Sequence, residues 1–369
     1  MEDSISICFA RLPTISEWVH SEEFGAIGRQ TELLAEEFAN RDHDVTVVAE
    51  PQPSLTVSED EIELVTVPAD ADTRVSTYDR AAVYIEALQK AAADIYCVRG
   101  KCDSLPIVWK YTGITDGHYV LHVTADSDIA NVRETNEHTK HDHDVFERAI
   151  TEVDALVAQT ERQQHAVQNR YNRSASVIPN GYKMPSEERI SSHKEKTHFL
   201  WIDRLLPERN PTQFLDLAKQ FSDQQFKMYG PVREGNEFHE RVHSRAREYE
   251  NVNITRFASR NEKIKLYQNA IALVNTAETI DFPVTFPEAW KYGTPTISIQ
   301  DIDETLSCDS CHTVAGDFEG LVTEIKRFTC NTETTNGTSH KGQKTMKSTF
   351  TIEQIVNDYE VLLKNTYRQ

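Results

Sequence analysis

Short apolar runs alternate with helix-like stretches along almost the whole chain, and this alternation restricts the fold more than any other feature of the sequence. The first example is an apolar run over residues 5–10, a helical stretch over 28–41 and a second apolar run over 44–49. Short continuous apolar runs are typical of strands in a parallel sheet that is covered on both faces. The chain therefore opens with a predicted βαβ unit and continues as a doubly wound α/β fold.

The pattern occurs in two series, which a polar stretch over residues 182–196 separates. A chain of 369 residues is too long for one ordinary core and favours about two domains. We predict one Rossmann-like domain over 1–183, a second over 184–350 and a C-terminal helix over 351–369. The polar tract over 329–349 is predicted to be a mobile connector before that helix.

Composition narrows the classes of protein to which the chain belongs. Apolar residues make up 38% of it, and no run approaches the ~20 residues that a membrane span needs. Neither a signal peptide nor a basic amphipathic helix is evident, which predicts a soluble cytoplasmic protein. The formal net charge of −20 argues against nucleic-acid binding. The apolar flanks of Cys8 and Cys97 predict reduced, buried thiols.

Two arginines follow the first strand of the second series. In the segment WIDRLLPERNP, Arg204 and Arg209 come after the apolar run and before a helix that is predicted to begin near Pro211. Guanidinium groups bind phosphate oxygens through charge-assisted hydrogen bonds. The segment therefore predicts a binding site for a diphosphate.

A second anion-binding feature lies in the segment AETIDFPVTFPEAWKYGTPTIS, residues 277–298. A helix is predicted to open after Phe282, with Pro283 at its first position, where a missing N–H costs nothing. The N–H groups of Val284 and Thr285 would then be free for sugar or phosphate oxygens, and Glu288 would lie just inside the helix. Together with the two arginines, this segment predicts a nucleotide-sugar site.

The N-terminal half offers fewer candidates. Gly25 and Gly28 are predicted to flank a turn into the first helix, where backbone could approach a phosphate or an acceptor, although a simple tight turn explains them equally. Asp126 follows an apolar run, and the carboxyl ends of strands line the binding crevice of open α/β sheets. We therefore select Asp126 as the candidate closest to the chemistry in this half.

Four segments, in this order, resemble the retaining nucleotide-sugar glycosyltransferases of family four. GAIGRQTELLAEEFANRDHDVTVVAE is similar to the family's glycine-rich turn, first helix and second strand, and VDALVAQTERQQHAVQNRYNRSASVIPNGY to its last N-domain strand, helix and Pro-Asn-Gly. IDRLLPERNP resembles the donor motif Gly-Arg-x-x-x-x-Lys, with Asp203 at the glycine and Arg209 at the lysine. EAWKYGTPTIS resembles the helix and strand that carry the ribose-binding glutamate, here Glu288.

The resemblance implies a GT-B fold of two facing Rossmann-like domains, with the last helix packing back toward the N-domain. It implies retaining transfer from a nucleoside diphosphate sugar to a glycan, lipid-linked or small-molecule acceptor, with no metal and no other cofactor. Family members that use lipid-linked acceptors lie on the inner membrane face, which leaves a peripheral membrane contact open. Arg204 and Arg209 would act on the departing diphosphate.

Two positions depart from the family's pattern. Ala125 stands where the family commonly has a histidine before the aspartate that Asp126 matches, and Ile280 stands at the first of the family's two spaced glutamates. Asp281 is a candidate replacement for that glutamate by a one-residue shift. These departures keep a second hypothesis open: a nucleotide-sugar-binding partner subunit without turnover.

Three other motifs suggest different chemistry. Asp126-Ser127-Asp128 matches the Asp-x-Asp of metal-dependent glycosyltransferases, although those enzymes lack a second Rossmann domain. Cys308 to His312 has the spacing of c-type haem attachment, which normally requires export. The histidine tract over 138–143 could bind a metal, but an acidic run of this kind is more often a solvated loop and helix start.

Overall fold

The structure is a computed structural model, in which the chain folds into two compact units. The first unit is Met1–Gly181 with Ile352–Gln369, and the second is Tyr182–Thr351. The sequence placed the corresponding boundaries after residues 183 and 350. The described residues are 4–10, 26–49, 61–67, 77–102, 105–129, 137–186, 196–230, 235–255, 259–278, 282–306, 311–330 and 332–368.

The described residues of the first unit form a seven-stranded parallel sheet with the order β3-β2-β1-β4-β5-β6-β7. Its strands are β1 (Ser6–Ala10), β2 (Asp44–Ala49), β3 (Ile62–Thr66), β4 (Ile95–Arg99), β5 (His118–Val123), β6 (Ala155–Ala158) and β7 (Ser176–Val177). The helices between them are α1 (Ala26–Ala39), α2 (Thr77–Ala91), α3 (Leu105–Thr112), α4 (Asp126–Ile129), α5 (Glu137–Glu152) and α6 (Glu161–Tyr171).

Burial on both faces explains why the strands of this sheet read as continuous apolar runs. Neighbouring residues of β1 point to opposite faces, so that Cys8 joins one buried cluster and Phe9 joins the other. The first cluster includes Phe146 of α5, and the second includes Phe38 of α1. Helices therefore cover both faces, as the predicted doubly wound fold requires.

The C-terminal helix α13 (Ile352–Tyr367) belongs to the first unit and packs against α1. Its residues Ile355 and Tyr359 are buried in the same cluster as Phe38. The end of the unit's first segment is fixed beside this helix, because Gln30 of α1 exchanges two 2.9 Å hydrogen bonds with the backbone of Gly181. A side chain at 181 would collide with α13, since its Cβ would lie 2.6 Å from Cδ1 of Ile352.

A buried polar cluster also joins α13 to the sheet. The guanidinium of Arg99 donates to Oδ1 of Asn180 (3.0 Å) and to the hydroxyl of Tyr359 (2.9 Å). The Tyr359 oxygen lies 2.6 Å from Nδ1 of His122. Burial, and then the charge of Arg99, lower the pKa of His122 well below its ordinary value. The imidazole is therefore neutral, so the cluster holds one positive charge.

The second unit repeats the architecture, and its described residues form a six-stranded parallel sheet with the order β10-β9-β8-β11-β12-β13. Its strands are β8 (His198–Ile202), β9 (Phe226–Tyr229), β10 (Val252–Thr255), β11 (Ala270–Asn275), β12 (Thr296–Ser298) and β13 (His312–Val314). Its helices are α7 (Pro211–Gln220), α8 (Glu237–Ala246), α9 (Arg260–Gln268), α10 (Thr285–Lys291), α11 (Phe318–Cys330) and α12 (Thr332–Thr349).

The prediction of a mobile connector over 329–349 is wrong, because most of this tract is the helix α12. Its intrinsic helix propensity is low, but α12 packs along α10, and packing commonly decides the state of such a segment. Met346 is fully buried, and Gly342 lies against Trp290 and Cys311. Tertiary contacts therefore stabilise α12 despite the low helix propensity of its sequence.

We expect the glycines of α12 to respond oppositely to substitution. A Cβ at Gly342 would lie 3.2 Å from Cβ of Cys311 and 3.3 Å from Cβ of Trp290, whereas a Cβ at Gly337 would meet no heavy atom within 4 Å. Gly342→Leu should lower the free energy of unfolding by about 1–3 kcal/mol through overpacking. Gly337→Leu should raise it by about 0.5–1 kcal/mol through helix propensity. Urea unfolding checks both, and equal effects would contradict this packing of α12.

The state of the described cysteines agrees in part with the prediction from the sequence. Cys8 and Cys97 are buried and free, as predicted. Cys311 is disulfide-bonded, so its sulfur is not available for haem attachment. Cys308 lies outside the described residues, and so do the side chains of the histidine tract. The described helices include none that is both long enough and apolar enough to cross a membrane.

Candidate functional site

The two predicted arginines lie at the carboxyl end of β8, where the chain turns sharply. A single 3-10 turn, Pro207–Arg209, follows the strand, and Asn210 adopts the left-handed conformation (φ 47°) before α7 begins. Gly230 after β9 makes room for this turn, because a Cβ there would lie 2.8 Å from Cγ of Leu205. The segment is therefore held close against the neighbouring strand.

Hydrogen bonds also fasten this arginine segment to the loop after β11. The Oγ1 of Thr276 lies 2.9 Å from the carbonyl oxygens of both Arg209 and Asn210. The backbone N–H of Glu278 donates to the carbonyl of Glu208 at 2.9 Å, and Nδ2 of Asn210 donates to the Glu278 carboxylate at 3.2 Å. Since β8 and β11 are adjacent, the carboxyl edge of the second sheet presents both loops together.

Asp203 also lies at this edge, although it was not among the predicted site residues. Its Oδ1 accepts a 2.7 Å hydrogen bond from the backbone N–H of Arg204 and lies 3.7 Å from Nε of Arg209. The side chains of Asp203 and Arg209 are 22% and 15% exposed, whereas Arg204 is exposed. Burial raises the pKa of Asp203, and the charge of Arg209 opposes that shift.

The start of α10 differs from the prediction. The helix is Thr285–Lys291, so Pro283 lies before it and not at its first position. The N–H of Val284 donates to the carbonyl of Phe282 at 3.0 Å, and that of Phe286 donates to the carbonyl of Pro283 at 2.9 Å. The tight turn at Pro283 therefore uses the N–H of Val284, which was wrongly predicted to be free. Thr285, as the first helical residue, has no intrahelical acceptor for its N–H.

Glu288 lies in the first turn of α10, and its environment is rich in tyrosine. Tyr267, at the end of α9, forms a hydrogen bond with its carboxylate. Burial, and then the charge of Glu288, raise the pKa of Tyr267 and of Tyr182 well above their ordinary values. Phe282 is buried in the core beneath this helix.

The candidates of the first unit have mainly structural contacts. Gly28 lies inside α1 and not in the turn before it, because that helix begins earlier than predicted, at Ala26. Asp126, at the start of α4, pairs with Arg162 (2.7 Å) and accepts from Gln163 (3.1 Å), both on α6. Gly25 and Asp281 lie outside the described residues.

The two carboxylates of the Asp-x-Asp motif have different partners. Oδ2 of Asp128 accepts from the backbone N–H groups of Thr124 and Ala125, both at 3.0 Å, whereas Asp126 faces α6. Asp128 thus closes the end of β5. This arrangement does not favour a cation shared by both carboxylates.

A family model described as "Glycosyl transferases group 1" matches residues 185–305, which include the arginine segment, the loop after β11 and α10. This part of the chain is therefore similar to the group 1 glycosyltransferases. The sequence has no significant match among curated proteins.

Solved structures extend the similarity to both units. A sucrose-phosphate synthase from Thermosynechococcus elongatus has a TM-score of 0.77 at 14% identity, with 98% of this chain and 99% of that chain covered. A glycosyltransferase from Rickettsia africae has a TM-score of 0.76 at 12% identity, with complete coverage of both chains. HepE from Anabaena, in complex with UDP and glucose, has a TM-score of 0.74 at 14% identity, with 98% and 100% covered. The chain therefore has the GT-B fold, as predicted, and the segment that matches the group 1 family model lies in its second Rossmann-like unit.

Proposed function

We propose that this chain transfers a sugar from a nucleoside diphosphate sugar to an acceptor hydroxyl, with retention of the anomeric configuration. The observation that carries the proposal is the arginine segment at the carboxyl edge of the second sheet, within the residues that match the group 1 glycosyltransferase model. Open α/β sheets bind their ligands at this edge. Two guanidinium groups there supply the positive charge that a diphosphate requires.

The arginines would contribute most while the glycosidic bond breaks. Negative charge grows on the departing diphosphate, and groups positioned for that charge lower the barrier more than they strengthen ground-state binding. Arg209 is half-buried and held by its loop, which suits it to this role, whereas the exposed Arg204 can follow the phosphate as it moves. We assign the ribose contact to Glu288 and keep Asp126 and Asp281 as candidates near the acceptor.

We propose that the reaction needs no divalent cation, because the arginines carry the charge that a cation would otherwise supply. The acceptor is a glycan, a lipid-linked sugar or a small molecule, and the reaction belongs to the synthesis of glycans, glycolipids or surface polysaccharides at the cytoplasmic side. HepE, which has the same fold, binds UDP-glucose, so this donor is the first to test.

A ligand screen followed by a transfer assay tests the proposal. A panel of UDP-, GDP-, ADP- and dTDP-sugars is added to the full chain, and the thermal unfolding temperature is measured with and without EDTA. A donor at a hundredfold over its Kd should stabilise the protein by ~2.7 kcal/mol. The matching donor should then release nucleotide in the presence of acceptor, and NMR of the product should show the retained configuration. Failure of every nucleotide-sugar to bind would refute the proposal.

Ala125 favours one other candidate function, a partner subunit that binds nucleotide-sugars without turnover. The family commonly has histidine at this position, and alanine has no group that could transfer a proton or hydrogen-bond to a sugar. Donor binding without transfer or hydrolysis for any acceptor would support this second function.

A further inference from the structure

Asp203 places a negative charge inside the proposed diphosphate site. The family pattern has glycine at this position, which brings no charge, whereas Asp203 lies within 3.7 Å of the Arg209 guanidinium. Its Oδ1 also accepts from the Arg204 backbone N–H at 2.7 Å. One carboxylate oxygen therefore contacts two groups that attract anions.

We propose that the Asp203 carboxylate competes with the donor diphosphate for Arg209 and for the Arg204 backbone N–H, and thereby sets the affinity for the donor. This inference rests on the proposed function. An oxygen of the diphosphate that approached Arg209 would meet a like charge at close range. Like charges placed side by side in a partly desolvated site oppose binding strongly. The donor must therefore displace the carboxylate or bind when it is protonated.

Three elements contribute charged or polar groups near Asp203 or near the segment that carries it. Its own segment contributes Arg204, Glu208 and Arg209, which all act on its ionisation. β9 contributes Tyr229, whose carbonyl accepts from the backbone N–H of Asp203 at 3.3 Å. In the loop after β11, the carboxylate of Glu278 accepts from Nδ2 of Asn210, in the same arginine segment, at 3.2 Å. Because the carboxyl group is largely buried, it protonates more readily than an exposed aspartate, and the competition should fade on acidification.

Asp203→Asn tests the proposal with the least disturbance, because the amide keeps an oxygen that can accept from the Arg204 N–H. Calorimetry with UDP, ADP, GDP and dTDP, in EDTA, gives Kd for the wild type and the variant. The variant should bind its nucleotide about tenfold more tightly, since it loses the like charge. Asp223→Asn is the matched control, because it makes the same substitution at an exposed side chain in the loop before β9, at the amino edge of the sheet. Its Kd should change by less than about threefold.

The pH profile separates competition from a structural effect. Protonation of the nucleotide acts on both proteins alike, so the ratio of the wild-type Kd to that of Asp203→Asn isolates the carboxylate. The ratio should fall toward one as the pH is lowered, because burial raises the pKa of Asp203 and protonation removes the like charge. A merely structural role would give a constant ratio. Thermal unfolding without ligand verifies that the variant is folded.

Three outcomes would overturn the inference. Equal or weaker binding by Asp203→Asn, together with normal binding by the wild type, refutes the competition and leaves the proposed function intact. Weaker binding by the variant in Mg²⁺ but not in EDTA would make Asp203 a cation ligand instead. Absence of nucleotide binding in all three proteins would refute the proposed function itself, and the inference with it.

Discussion

Replacement of Arg209 by alanine is expected to lower kcat for sugar transfer by about 10²-fold or more. The carbonyl of Arg209 accepts from Thr276, and its Nε lies 3.7 Å from Oδ1 of Asp203, so the guanidinium is already placed at the edge of the second sheet before a donor binds. A preorganised charge of this kind acts mainly where negative charge develops, which is on the departing diphosphate. The Kd for the donor should therefore rise less than kcat falls. Steady-state kinetics and calorimetry with the same donor measure the two effects.

Two variants make the Arg209 experiment specific. Arg209→Lys keeps the charge and restores the residue of the family's motif, so it should retain activity within about tenfold of the wild type. Arg241→Ala removes an exposed arginine from α8 in the same unit and should leave kcat unchanged. A rise in KM with kcat unchanged would show that Arg209 binds the ground state and the transition state equally. Full activity of Arg209→Ala, or of Arg204→Ala, would refute the assignment of the arginines.

The fold could be predicted because the central strands of the two sheets are buried on both faces. Burial on both faces leaves a continuous apolar run in the sequence, and the runs over 44–49, 226–229 and 270–275 coincide with β2, β9 and β11. The same pattern predicted which residues lie at the carboxyl edge of the second sheet, because residues directly after a parallel strand lie at that edge. Arg204 and Arg209 were found in this way.

Features that depend on contacts between distant segments could not be predicted. The helix α12 is stabilised by the burial of Met346 and by the contact of Gly342 with Trp290, and neither is visible in the local sequence. The turn at Pro283 forms a hydrogen bond between Phe282 and Val284 that a preference for proline at helix starts does not reveal. The contact of Asp203 with Arg209 depends on the turn between them. The sequence indicated this contact only through the charge of Asp203, at a position where the family has glycine.

A buried lysine is expected to give the second unit an unusual dependence of stability on pH. Lys196 is 9% exposed, and its Nζ donates to the carbonyl of Ala270 (2.9 Å) and to Oγ1 of Thr294 (3.0 Å). Neither partner carries a charge. Burial lowers the pKa of Lys196 from 10.5 to about 7, because the ammonium loses its hydration.

The direction of this pH dependence follows from which state of the chain, folded or unfolded, binds the proton of Lys196. Between about pH 7 and about pH 10 the unfolded chain keeps the proton of Lys196 and the folded chain releases it, so stability rises with pH by about 1.4 kcal/mol per unit. This stability is fully present above the unfolded pKa and is lost as the pH falls toward the folded pKa. The free energy of unfolding of the wild type minus that of Lys196→Met should therefore increase by about 2.3 kcal/mol from about pH 7 to about pH 9.

The comparison with Lys196→Met is made as a difference because other groups titrate in the same window. Their contributions are common to both proteins and cancel, and so does the constant cost of leaving Ala270 and Thr294 without their donor. Urea unfolding at several pH values, followed by tryptophan fluorescence, reports on this unit through the buried Trp201 and Trp290. Lys219→Met is the matched control, because solvent surrounds this exposed side chain in both states, and its difference from the wild type should stay constant. A constant difference for Lys196→Met as well would mean that the buried ammonium keeps its proton and that the neutral oxygens around it suffice to hold the charge.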